Sequence, residues 1–215
     1  MFTHVCHDFV PGLQFPLTGF AQKVIGGGEV RRLSDVEQLA AGAFGGIVSG
    51  LVCGPMELVM IQQQTFGTTL LQTPAKIVAE AGIMGMARGL VMSCGREGVF
   101  TAGMLGFGPA LRRYASEKLG YSDAASSAIS AVGAGVVVGT LSHPMDTIKT
   151  CQQGDVLGKT YGGVIGTTRT LLSQGSAARF FSGWSFRTGR MVLQVFMFDK
   201  AKTVLSPIMF PHHFK

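Results

Sequence analysis

Charged side chains are scarce in this chain, and several of them stand inside apolar stretches. Glu57, Arg96, Glu97, Asp146, Lys149, Arg187, Arg190, Asp199 and Lys202 fall within or at the ends of runs rich in Ala, Gly, Val, Leu and Phe. They do not assemble a catalyst: no G-x-S-x-G, Walker-type or H-E-x-x-H motif occurs. What an arginine beside a glutamate offers is recognition. A guanidinium fork suits a carboxylate or phosphate. Charges at membrane depth are expensive, functional by default, and tolerated when paired across helices. On that ground Arg96 and Glu97 are candidate functional charges, and Glu57 with Lys149 is a natural interhelical pair. The competing structural reading pairs Arg96 and Glu97 with Arg187 or Asp199. His4, Cys6 and His7 lack a fourth ligand at useful spacing, and His212-His213 lies in a tail, so no metal site and no cofactor are expected. Cys6, Cys53, Cys94 and Cys151 form no C-x-x-C pair. Three of them sit in apolar helical stretches, where a reduced, buried thiol is expected.

The elements that must carry these charges are set by composition. Of 215 residues, 47% are hydrophobic, 14% charged and 31 are glycine. A typical soluble domain has about 25% charged residues and about 7% glycine. The high hydrophobicity excludes a disordered chain, the absence of a three-residue glycine period excludes collagen, and too little charge remains to cover a water-facing enzyme. Apolar content combined with glycine is the mark of packed transmembrane helices, where Gly lets backbones approach. The net charge is +6, but the longest basic clusters are pairs, Arg31-Arg32 and Arg112-Arg113. That is too little for a nucleic-acid surface, and it suits anionic lipid head groups or anionic solutes. Met1-Phe2-Thr3-His4 has no basic stretch of the signal-peptide kind, so no cleavable leader is expected.

Four long apolar runs predict membrane spans: 38–61, 89–111, 124–148 and 184–205, with a weaker fifth over 10–25. Amphipathic pieces over 73–81 and 166–172 lie between them, and Gly26-Gly27-Gly28 reads as a turn. The first and third runs are copies of one another. Gly42, Gly46, Gly50 and Gly54 answer to Ala131, Gly135, Gly139 and His143 at a shift of 89 residues. A small residue every fourth position makes a groove down one helix face. Both runs then reach a proline, Pro55-Met56-Glu57 and Pro144-Met145-Asp146-Thr147-Ile148-Lys149, where a kink is expected. Glutamines follow in both, and at a shift of 94 Gly89 answers to Gly183 and Arg96 to Arg190. The period makes this a repeat protein of two helices per unit.

At these residues the chain resembles the mitochondrial carrier family, whose signature is P-x-[DE]-x-x-[KR] closing each odd-numbered helix. Pro144 to Lys149 matches it fully; Pro55-Met56-Glu57 matches with Met60 in place of the cation. Glu80-Ala81-Gly82 through Gly89 looks like the family's following acidic-Gly element, with Gln174-Gly175 to Gly183 as its degraded copy. Phe198-Asp199-Lys200-Ala201-Lys202 is similar to the family's aromatic-acid-cation motif on the cytoplasmic side, and Gly108-Pro109 replaces that motif in the unit before.

The resemblance implies an all-α membrane protein: a carrier-type bundle of about five transmembrane helices, in units of two helices plus a short matrix helix. The units would be 1–32 (second helix only), 33–120 and 121–215. The first helix of a first unit is then absent, which takes away the partner expected for Asp146. The resemblance also implies solute contacts at Arg96 and Glu97, the cation taking a carboxylate and the acid an amine, and at Arg187 and Arg190, of which counting back from Phe198-Asp199 favours Arg187; it further implies a matrix-side gate at Glu57, Asp146 and Lys149 and a cytoplasmic-side gate at Asp199 and Lys202. The expected activity is exchange of a small charged metabolite, amino-acid-like or a carboxylate, across the mitochondrial inner membrane, with no enzymatic step. Lipids, cardiolipin among them, would be partners, and a protein could cover the face left by the missing helix. The alternative is a transport-inactive carrier serving as a structural subunit of an inner-membrane complex.

Overall fold

The computed structural model describes residues 16–27, 33–69 and 71–209, the side chains of Val195 and of 198–209 excepted. Helix α1 covers 16–25. There follow α2 (Asp35–Phe66), α3 (Gln72–Gly85), α4 (Leu90–Ala102), a π turn (Gly103–Phe107), α5 (Gly108–Glu117), α6 (Asp123–Gly154), α7 (Val164–Ser173), a 3-10 turn (Ala177–Phe181) and α8 (Trp184–Met209). The order α2–α5 is repeated in simpler form by α6–α8: a long helix, a short crossing helix, and a long return.

Both long helices start on the same chemistry. The Ser34 hydroxyl accepts the Glu37 N–H while the Glu37 carboxylate accepts the Ser34 N–H, a reciprocal capping box. Ser122 accepts the Ala125 N–H in the second copy. Asp35 and Asp123 stand in the first turns, where the helix dipole favours an acid. This Ser-Asp pair is a further repeated signal, not used in the sequence reading. Helix α2 stops at Gly67, whose φ of 64° lets its N–H turn back to the Gln63 carbonyl. Pro55 and Pro144 lie inside α2 and α6, which run on past them to Phe66 and Gly154.

Packing follows the small-residue stripes. Residues 42, 46, 50 and 54 of α2 lie against α4. A Cβ at Gly42 would stand 2.9 Å from the Ala102 Cα, one at Gly46 2.7 Å from the Gly98 Cα, and one at Gly50 2.7 Å from the Cys94 Cα. Gly135 meets the Val192 backbone and Gly139 the Thr188 side chain in the same way, which joins α6 to α8. Helix α1 sets Thr18 against Gly45. The outward faces carry the bulk: Phe44 is 51% exposed, Leu51 52%, Val132 52% and Leu141 61%. Small residues inside and large apolar ones outside is the reverse of a soluble helix, and it suits lipid, where close backbone contact replaces the hydrophobic drive.

Among the described residues, α2 and α6 are long and apolar enough to cross a membrane, and α3 with the continuous 90–117 rod, bent by 85°, gives a third candidate span. That is fewer than the five spans expected from the apolar runs; α8, with 26 residues, has the length for a crossing. At one end of the bundle, Leu58, Val59, Ile77 and Val156 form one apolar cluster, and Ile148, Leu171 and Phe180 another. These seat α3 and α7 under the long helices. The π turn has a local cause. Pro109 has no N–H for the Leu105 carbonyl, and the Gly108 N–H reaches back five residues to Gly103 instead.

Candidate functional site

Four helices deliver charge to one place. Glu57 comes from α2, Arg96 and Glu97 from α4, Asp146 and Lys149 from α6, and Arg187 from α8. Arg96 is at the centre. Its Nη2 lies 2.7 Å from Glu57 Oε1 and also meets Glu97 Oε1, and its Nε lies 3.3 Å from Asp146 Oδ1. Lys149 Nζ donates to Glu57 Oε2 at 2.6 Å. Arg187 pairs with Asp146 and donates to the Ser142 hydroxyl at 3.2 Å. No side chain of the six is more than 19% exposed. Three cations face three carboxylates, so the cluster is neutral as a whole. Breaking one pair leaves a partly buried charge uncompensated, which is costly.

The interhelical pair read from the sequence, Glu57 with Lys149, is formed. The loss of a partner for Asp146 is not: Arg96 and Arg187 occupy its carboxylate. The competing reading pairs Arg96 and Glu97 with Arg187 or Asp199; among the described residues Arg96 meets Glu57, Glu97 and Asp146, and the Asp199 side chain lies outside them. Arg187 and Arg190 also separate. Arg187 joins the cluster, whereas Arg190, one turn on, is exposed and lines a groove between α6 and α8. Residues assigned to binding and residues assigned to the matrix-side gate therefore form one network, because the glycine stripes bring α2, α4, α6 and α8 close enough for their side chains to meet. Asp199 and Lys202 lie on α8, but their side chains are outside the described residues; so are His4, Cys6, His7, His212 and His213. No cluster of metal-ligating side chains occurs among the described residues. Cys53 is buried, and Cys94 and Cys151 are half-buried; none of the three forms a disulfide.

A second set of contacts joins the two units at the end of α6, and the sequence reading gave it no role. Gln62 donates to the carbonyls of Gln153 and Gly154, and Gln153 donates to the Gly54 carbonyl at 3.3 Å. Arg88, just before α4, donates to the carbonyls of Gln152, Asp155 and Tyr161. A guanidinium on the last carbonyls of a helix satisfies acceptors that have no partner within it. Asp155 folds the following loop by accepting the N–H groups of Lys159, Thr160 and Tyr161. Burial opposes its charge, but these donors and Arg88 outweigh it and hold its carboxyl below the usual range. The repeated glutamines were the available signal.

A bundle of small-residue-packed helices around a buried, neutral ion network defines a helical membrane protein of repeated units. The sequence profile of mitochondrial carrier proteins matches residues 31–119 and 121–208, and the chain belongs to that family. Among its relatives are the probable S-adenosylmethionine carrier 2, chloroplastic, of Arabidopsis thaliana, 32% identical over 188 residues that cover 81% of this chain and 52% of the relative. The S-adenosylmethionine carrier 1, chloroplastic/mitochondrial, of the same plant is 28% identical over 160 residues, covering 70% of this chain and 47% of the relative. The chain thus spans about half the length of the curated relatives it matches.

Proposed function

We propose that the protein moves a small zwitterionic metabolite of the amino-acid class across the mitochondrial inner membrane, with S-adenosylmethionine the first solute to test. The observation that carries this reading is Arg96 held among Glu57, Glu97 and Asp146. A solute carboxylate can take the Arg96 fork, and the solute's ammonium can take a carboxylate that Arg96 releases. Each pair that breaks is replaced by one of the same kind, so the exchange needs no naked charge. Binding and opening are thereby one event: the carboxylates Arg96 lets go include those that also hold Lys149 and Arg187 across helices. In this scheme Glu57, Asp146 and Lys149 close the matrix side and Asp199 and Lys202 the cytoplasmic side, as switching ion pairs. S-adenosylmethionine adds a sulfonium to the ammonium and carboxylate, and the acid-rich surroundings of Arg96 suit a second cation. Similarity to two plant carriers named for this solute supports the choice. No observation favours a purely structural subunit.

The test is uptake of labelled S-adenosylmethionine, methionine and dicarboxylates by liposomes containing the purified chain. Saturable uptake of the first, lost in Arg96→Ala, is expected. Absence of uptake or exchange for every amino-acid-type solute would refute the reading.

A further inference from the structure

Beside Asp146 and Arg187 the bundle opens into a groove of about 550 Å³ between α6 and α8, within the range of small-molecule sites. Its walls include four side chains that the ion cluster does not use: His143, Thr150, Phe186 and Arg190. Each leaves something unmatched. His143 is only 5% exposed and stacks on Phe181, with ring centroids 6.0 Å apart. Its Nε2 lies 3.1 Å from the Ser182 carbonyl, which only accepts, so Nε2 carries the hydrogen and Nδ1 of the neutral ring is a lone pair. That Nδ1 is buried and has no partner among the described residues. Phe186 is 88% exposed. Arg190 is one helical turn on, on the same face, and makes no ion pair among the described residues.

A partner that meets all of these needs is a flat ring bearing an N–H or O–H donor. Its face stacks on Phe186, the Arg190 guanidinium packs against its π system, its donor reaches the His143 lone pair, and the Thr150 hydroxyl is free to pair with a sugar hydroxyl. An aliphatic chain leaves His143 and Arg190 unmatched, and a simple anion is turned away by the lone pair. We infer that this groove holds the heterocycle of a nucleoside-type solute whose amino-acid end lies in the Arg96 cluster. The inference rests on the carrier reading above and specifies the solute class of that same site.

The test uses the full chain in detergent and three probes: S-adenosylmethionine, adenosine and methionine. Methionine lacks the ring, so it reports on the cluster alone. Phe186→Ala removes an exposed side chain and His143→Phe keeps the stack on Phe181. Both are expected to weaken S-adenosylmethionine binding about tenfold and to abolish the melting shift given by adenosine, while methionine binds as before; Arg96→Ala loses methionine and S-adenosylmethionine together. If His143→Phe does not fold, Phe186→Ala carries the test alone. Native S-adenosylmethionine affinity in Phe186→Ala overturns the groove assignment, and if Arg96→Ala still loses binding, the carrier reading survives it. Binding of none of the three probes by the native chain overturns both.

Discussion

Removing the Arg96 guanidinium tests the central geometry directly. In the native chain Arg96, Lys149 and Arg187 balance Glu57, Glu97 and Asp146. Arg96→Ala leaves three carboxylates, 4% to 19% exposed as side chains, facing two cations. Taking one partner out of a buried ion pair costs about 3–5 kcal/mol. For a chain of this size each kcal/mol lowers Tm by about 2–4 °C, so a fall of roughly 6–20 °C is expected. Cys53 is 1% exposed, so a thiol-reactive dye in a thermal ramp reads unfolding as that sulfur becomes accessible. Adding Glu97→Gln to Arg96→Ala removes the excess negative charge and recovers part of the loss. Solute at one hundred times its Kd stabilises the native protein by about 2.7 kcal/mol, a rise of roughly 5–11 °C that Arg96→Ala does not show. An Arg96→Ala protein melting within 2 °C or so of the native one would refute the argument, because a cluster so joined cannot lose its central cation at no cost.

Gly46→Val drives a branched side chain into the Glu97 and Gly98 backbone; overpacking of this kind costs about 1–3 kcal/mol, whereas Gly189→Ala, inside α8 with open space around it, raises Tm by roughly 1–4 °C. A double-mutant cycle of Glu57→Gln and Lys149→Met, read by thermal unfolding, should give a coupling energy of roughly 1–3 kcal/mol, and a coupling near zero would show that the 2.6 Å pair contributes nothing. Asp155 makes the loop between α6 and α7 acid-sensitive. Its folded carboxyl lies below the ordinary value, so its contribution is complete above about pH 4 and is lost as pH falls through the lower folded value. Hydrogen-exchange protection factors at residues 159–161, taken against the intrinsic rate at each pH, should therefore fall in acid in the native chain, and Asp155→Asn should show low protection at every pH.

Much of the architecture was legible because it is written twice. The glycine stripe, the proline and the following acid recur at a constant shift, and a repeat converts weak local signals into a strong one. Which charges would meet was less legible. Glu57 and Lys149 could be paired by register within the repeat. The docking of Arg96 onto three acids could not, since Arg96 and Asp146 lie 50 residues apart on helices whose rotation only packing sets. The choice between Arg187 and Arg190 was open for the same reason: a one-turn difference in how α8 sits on Gly135 and Gly139 decides it. The span count, too, depended on more than runs of apolar residues, because the bend between α3 and α4 divides one candidate span between two helices.

By itself the sequence determined the class: helices for a membrane, in repeated units, with a few charges too costly to be accidental. Small residues at a four-residue spacing specify close backbone contact, and that is local information. The tertiary structure alone decided that the residues expected to bind and those expected to gate the matrix side share one neutral network, that Asp146 is paired from within the chain, and that a groove lies beside it. These are facts about distance between segments far apart in the chain, and only the packing of α2, α4, α6 and α8 sets them.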